Sequence, residues 1–172
     1  MKNTSITLGA ILALAAIGAA AQSPNDAQIA AIVVTANQVD IDAGKIAEKS
    51  GHSRDVKAFG KQMVTDHTGV NKQAVALVKK LKVTPEKNPT SESLQSGGDE
   101  NIQTLKGLKG ASFDKAYIDH EVTYHEQVID ALDKTLIPNA QNGELKALLV
   151  AVRPAFVGHL EHAKQIQSSL AK

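Results

Sequence analysis

Val56 to Leu81 reads VKAFGKQMVTDHTGVNKQAVALVKKL. Val56, Phe59, Met63, His67, Val70, Ala74, Val78 and Leu81 follow one another at steps of three or four, which puts them on one stripe of an α-helix. Lys57, Lys61, Lys72, Lys79 and Lys80 fall on the opposite, solvated face. A helix with such a stripe must bury it against other helices or a sheet. No segment of the chain alternates as a strand does, so the partners are helices. One polar residue, His67, interrupts the stripe near its middle.

Upstream, Asp26 to Ser50 repeats the pattern, with Ile29, Ile32, Ala36, Asp40, Ala43 and Ala47 along one face. Gly51-His52 ends that helix, and Ser53 is the N-cap of the next. Downstream, Val83 to Ala111 carries Pro85, Pro89 and four glycines. It reads as a long connection with one short helix around Asp99–Leu108, long enough to run the length of a bundle. A third helix is expected after Ser112 as N-cap. It should end near Leu136, because Pro138 has no N–H to continue it. The fourth is expected from Asn142-Gly143 almost to Lys172, kinked by Pro154 just before His159. The fold class is all-α: a ferritin-like four-helix bundle with a long connection between its second and third helices. A simple up-down-up-down bundle with an inserted segment is the alternative.

Residues 1–21 are set apart. Lys2 precedes the apolar run Ile6–Ala20, and Ala19-Ala20-Ala21 supplies small residues for cleavage, the pattern of a secretory signal peptide. The run is short for a membrane span. Residues 22–172 then form a single domain, with no stable span after cleavage. Without Lys2 the basic and acidic residues balance at 18 each. A nucleic-acid partner needs a basic excess that this chain lacks. With no cysteine there is neither a disulfide framework nor thiol chemistry, and any metal must be held by N and O donors. No nucleophile-elbow or phosphate-loop motif is present. The lysine face of the second helix allows peripheral contact with the envelope and specifies no partner or oligomeric state.

Each helix places a polar residue on its apolar stripe near mid-length: Asp40, His67, Glu121 with His125, and His159. All can share one layer. His120 lies at the edge of its stripe, and Asp66 beside its own, where it could accept a proton from a ligand histidine only on a neighbouring helix. Three imidazoles and a carboxylate suit a single Zn, Cu or Fe ion, with His67, His125 and His159 as ligands and Asp40 or Glu121 completing the shell. The di-iron pattern of two Glu-x-x-His motifs is absent, because no glutamate stands three before His67, His125 or His159. The same residues also fit a buried hydrogen-bonded layer without metal, which would make this a structural or stress-related envelope protein. A metal-dependent oxidase would need an open coordination position. No catalytic residue is read from the sequence.

VKAFGKQMVTDHT, FDKAYIDHEVTYHEQV and RPAFVGHLEHAKQI together resemble the bacterial domain-of-unknown-function family 4142. The resemblance runs from about Asp26 to Ser169. It rests on Met63-Val64 with Asp66-His67, on Phe113-Asp114 with Tyr117 and His125, and on Pro154 with His159-Leu160. Asp40 stands where the family usually has Glu. The resemblance implies a ferritin-like bundle exported to the cell envelope and no defined activity. Members are often labelled outer-membrane proteins. A chain without barrel strands fits the periplasm better, with outer-membrane association as the alternative.

Overall fold

The structure, a computed structural model, describes residues 23–172, so the leader expected over residues 1–21 lies outside it. Among the described residues there is no strand. The first helix, α1 (Asp26–Ser50), opens with a capping box in which Asn25 and Gln28 exchange side-chain-to-backbone hydrogen bonds. Gly51 closes it, and Ser53 Oγ accepts the Val56 N–H to start α2 (Arg54–Leu81), as the sequence predicts. Lys82, in the left-handed region at φ 54°, ends α2. Asn142 caps α6 (Gly143–Leu170) through the N–H groups of Glu144 and Leu145.

Three boundaries differ from the sequence reading. The connection after α2 holds a longer helix than expected, α3 (Pro89–Lys106), capped by Asn88. It passes through Gly97 and Gly98, and Gly98 is where it presses on α1: a Cβ there would lie 2.7 Å from the Val39 methyls. The next helix, α4 (Gly110–Ala131), begins two residues before the predicted Ser112 cap, with Gly110 at φ 60° turning the chain into it. It also does not stop before Pro138. Leu132–Leu136 widen into a π-turn, in which the Ile137 N–H reaches back to the Leu132 carbonyl, and a short α5 (Ile137–Asn139) carries the proline.

Two apolar cores stack along the helices. One contains Ile29, Ile32 and Val33 of α1, Ala74 of α2, Leu132 of the π-turn, and Leu149 and Phe156 of α6. The other contains Ala43 and Ala47 of α1, Phe59 and Met63 of α2, Phe113 and Tyr117 of α4, and Ala163 and Ile166 of α6. The order in which each helix visits the two cores gives its direction: α1 and α6 run one way, α2 and α4 the other. Because α2 and α4 are parallel, the chain between them must travel back the full length. α3 does so, packing Leu94 against the first core and Leu105 in the second. This is the crossover arrangement, not up-down-up-down. α1 packs on α2, α2 on α6, α6 on α4 and α4 on α1, closing a ring.

Two buried or half-buried carboxylates fasten the ends. Asp114 accepts the N–H groups of His52 and Ser53, both at 2.7 Å, tying α4 to the α1–α2 turn. Asp26 accepts those of Gln141 and Asn142 at 2.9 Å, tying α1 to the start of α6. No helix of the described residues is long and apolar enough to cross a membrane.

Candidate metal centre

Between the two apolar cores lies a polar layer. Asp40, His67, Glu121, His125 and His159 are all 4 % exposed or less. Helical spacing put each on its stripe, and the ring of helices turns the four stripes inward at one level. One donor atom each from His67, His125 and His159 lie within 4.8 Å of one another, and so do donors of Asp40, Glu121 and His125. All five residues singled out from the sequence therefore converge.

Every imidazole is held from behind. His67 Nδ1 lies 2.7 Å from Asn37 Oδ1, and the Asn37 Nδ2 donates to the Val33 carbonyl at 2.8 Å. That second bond fixes which way the amide points, so an oxygen faces the imidazole and His67 Nδ1 carries the proton. His125 Nδ1 donates to the Glu121 carbonyl at 2.9 Å. His159 Nε2 donates to Asp66 Oδ2 at 2.9 Å. The remaining nitrogens are His67 Nε2, His125 Nε2 and His159 Nδ1, which carry lone pairs in the neutral rings. All three are buried without a hydrogen-bond partner, as are both oxygens of Asp40 and Glu121 Oε2.

Such a concentration of unpaired buried atoms is costly in a core. His67 Nε2 and Asp40 Oδ2 are 2.9 Å apart. Two lone-pair atoms at that distance repel unless a proton or cation joins them. Donors sharing one ion at about 2.0–2.1 Å each sit about 3 Å apart, so the pair matches a bite on a single metal. His125 Nε2 is 3.6 Å from the same Asp40 oxygen. Phe156 closes the layer on one side, its ring centre 5.1 Å from that of His67.

The protonation states suit the donor role. Burial pushes the His125 pKa down to about 4 and lowers that of His159, so both are neutral near pH 7. For Asp40, burial works to raise the pKa, but the neighbouring imidazoles, His67 foremost through attraction and a hydrogen bond and then His125 and His159, which attract the carboxylate when protonated, lower it. Burial, followed by the Asp40 charge, raises the Glu121 pKa well above the usual carboxylate range. Burial likewise keeps Tyr117 a neutral phenol.

The other histidines stay outside. His120 stacks on Tyr124, His162 donates from Nδ1 to Gln62 Oε1 at 3.0 Å, and His52 is exposed in its turn. Asp66 takes the supporting position expected for it, across the helices from His159. Sequence reasoning missed Asn37. Its signal is its place one turn before Asp40 on the inward face of α1.

The structure thus defines an all-helical protein with a buried histidine–carboxylate cluster at mid-length. The chain belongs to the family described as domain of unknown function DUF4142, whose family model matches residues 12–166. No curated protein matches it. Among solved structures, one described as "CopM in the Cu(II)-bound form" is similar, with a TM-score of 0.66 at 12 % identity over 86 % of this chain and 99 % of that one. A likeness at that identity speaks to the helical fold.

Proposed function

We propose that this protein holds one transition-metal ion, Cu(II) before Zn or Fe, between His67 Nε2, His125 Nε2, His159 Nδ1 and an Asp40 oxygen. The carrying observation is that each imidazole spends one nitrogen on an outer acceptor and leaves the other buried, that the three rings bring donors within 4.8 Å of one another, and that those of His67 and His125 also face Asp40. A layer serving packing alone would pair these atoms with one another. Imidazole-rich sites with a carboxylate suit Cu(II) and Zn, and Cu(II) binds most tightly among the divalent ions. The Cu(II) of the similar solved structure agrees with that choice. Glu121 stands beside Asp40 and His125 with its pKa raised by burial, and becomes a fifth donor when it loses its proton.

The four long helices α1, α2, α4 and α6, with α3 as the crossover, are best read as a ferritin-like four-helix bundle formed by residues 22–172 as a single domain. We place the protein in the periplasm, exported by a signal peptide over residues 1–21, with peripheral envelope contact rather than a membrane span. The fully buried donor set favours holding an ion over turning over a substrate, and no residue is assigned a catalytic role.

Elemental analysis and Cu(II) titration of untagged protein, beside a His67→Ala/His159→Ala double variant, test this reading. The expected result is one ion per chain in the wild type and none in a double variant that keeps its helical circular dichroism. Failure of the wild type to take up Cu(II), Zn(II) or Fe(II) would leave the cluster as bundle architecture.

A further inference from the structure

We propose that a second ligand site lies beside the metal cluster: a cavity that takes a small amphiphile, with an apolar acyl or aromatic body and one polar end. The cavity measures about 550 Å³ and opens between α1, α4 with its π-turn, and α6. This is within the range of about 300–1,000 Å³ usual for small-molecule sites. Its walls are apolar, formed by Ile32, Val33, Leu132, Leu149, Val152 and Phe156. Its exposed rim is polar, with Ser23, Thr90, Gln127 and Lys134. An apolar barrel with polar groups at the rim, among them Lys134 in its exposed pair with Asp130, matches an amphiphile that enters tail first. A wholly polar metabolite would have to leave its water without replacement partners.

Two features distinguish this cavity from an ordinary packing gap. The π-turn supplies part of its wall through Leu132, Lys134, Thr135 and Leu136, and π-turns of this kind recur at functional sites. The buried floor includes Asn37 and Phe156, the residues that hold and cover His67. A molecule in the cavity therefore touches the supports of the cluster without touching its donors. The site stands without the metal reading, because none of its lining residues is a proposed ligand.

The test is a fluorescence titration of the metal-free protein, in excess chelator, with N-phenyl-1-naphthylamine, followed by displacement with decanoate. The expected result is saturable binding at one site per chain, displaced by decanoate. Ala131→Phe and Thr135→Phe, which project rings into the cavity, should each weaken it by about tenfold or more while the melting transition is retained. In the wild type, decanoate should slow hydrogen exchange at Val128–Leu136 and Leu149–Phe156. Absence of saturable binding, binding indifferent to both variants, or protection elsewhere in the chain would overturn the proposal. Chelator keeps the two readings separate: loss of amphiphile binding leaves metal uptake untouched, and the reverse.

Discussion

Replacing Asn37 by Leu removes the acceptor that sets the His67 tautomer while keeping the number and branching of side-chain heavy atoms. Asn37 is 1 % exposed and spends both ends of its amide, one on His67 Nδ1 at 2.7 Å and one on the Val33 carbonyl at 2.8 Å. The Val33 carbonyl keeps its place in the helix, so the main loss falls on the His67 N–H, which stays buried without a partner. In the metal-free protein that costs about 1–3 kcal/mol. Free of its anchor, the ring can also move its proton to Nε2, the nitrogen assigned to the ion. Loss of such a supporting partner lowers metal affinity by about 10–100-fold, or about 1.4–2.7 kcal/mol. Competition titration of Cu(II) against a chelator measures the affinity, and thermal melting of the metal-free protein measures the stability. An affinity within about twofold of wild type, in a variant that folds, would refute the reasoning that Asn37 prepares His67 for a metal.

Gly98→Ala should destabilise by about 1–3 kcal/mol because its methyl meets Val39, whereas Gly97→Ala, with open space beside it, should stabilise by about 0.5–1 kcal/mol; urea unfolding of the pair checks both. Asp114→Ala should lower stability by about 3 kcal/mol, having lost two hydrogen bonds to a buried carboxylate, yet leave metal stoichiometry unchanged. Glu121 has its pKa raised in the fold, so its contribution is present below the ordinary value of 4.5 and lost as pH rises; Glu121→Gln should therefore melt higher than wild type at neutral pH when metal-free, with the gain gone near pH 4. His125 is the opposite case: its pKa is lowered to about 4 from 6.5, so its contribution is full above 6.5 and lost as pH falls toward 4. In Glu121→Gln that loss should amount to about 3 kcal/mol across the window, read from melts at several pH values.

Local signals were legible where a residue acts on its own helix. Ser53 and Asn142 cap the helices that follow them, and the stripe positions of His67, His125, His159 and Asp40 required only the helical period. The sequence misled where tertiary packing overrides propensity. Gly97-Gly98 reads as a loop, yet Gly98 is what lets α3 lie against α1, and the close crossing repays the poor helix former. Pro138 reads as a stop, yet a π-turn before it lets the helix continue. Partners joined across helices carry no sequence period. The bonds of Asn37 to His67 and of Asp114 to the α1–α2 turn depend on which helices become neighbours, which only the ring closure decides.

The most direct measurement is a crystal structure of the copper-loaded protein with anomalous diffraction at the copper edge. The expected result is a single anomalous peak between the two apolar cores, about 2.0–2.1 Å from His67 Nε2, His125 Nε2 and His159 Nδ1, with an Asp40 oxygen beside it. Copper bound only at an exposed histidine such as His52, with the buried cluster closed around no ion, would contradict this assignment.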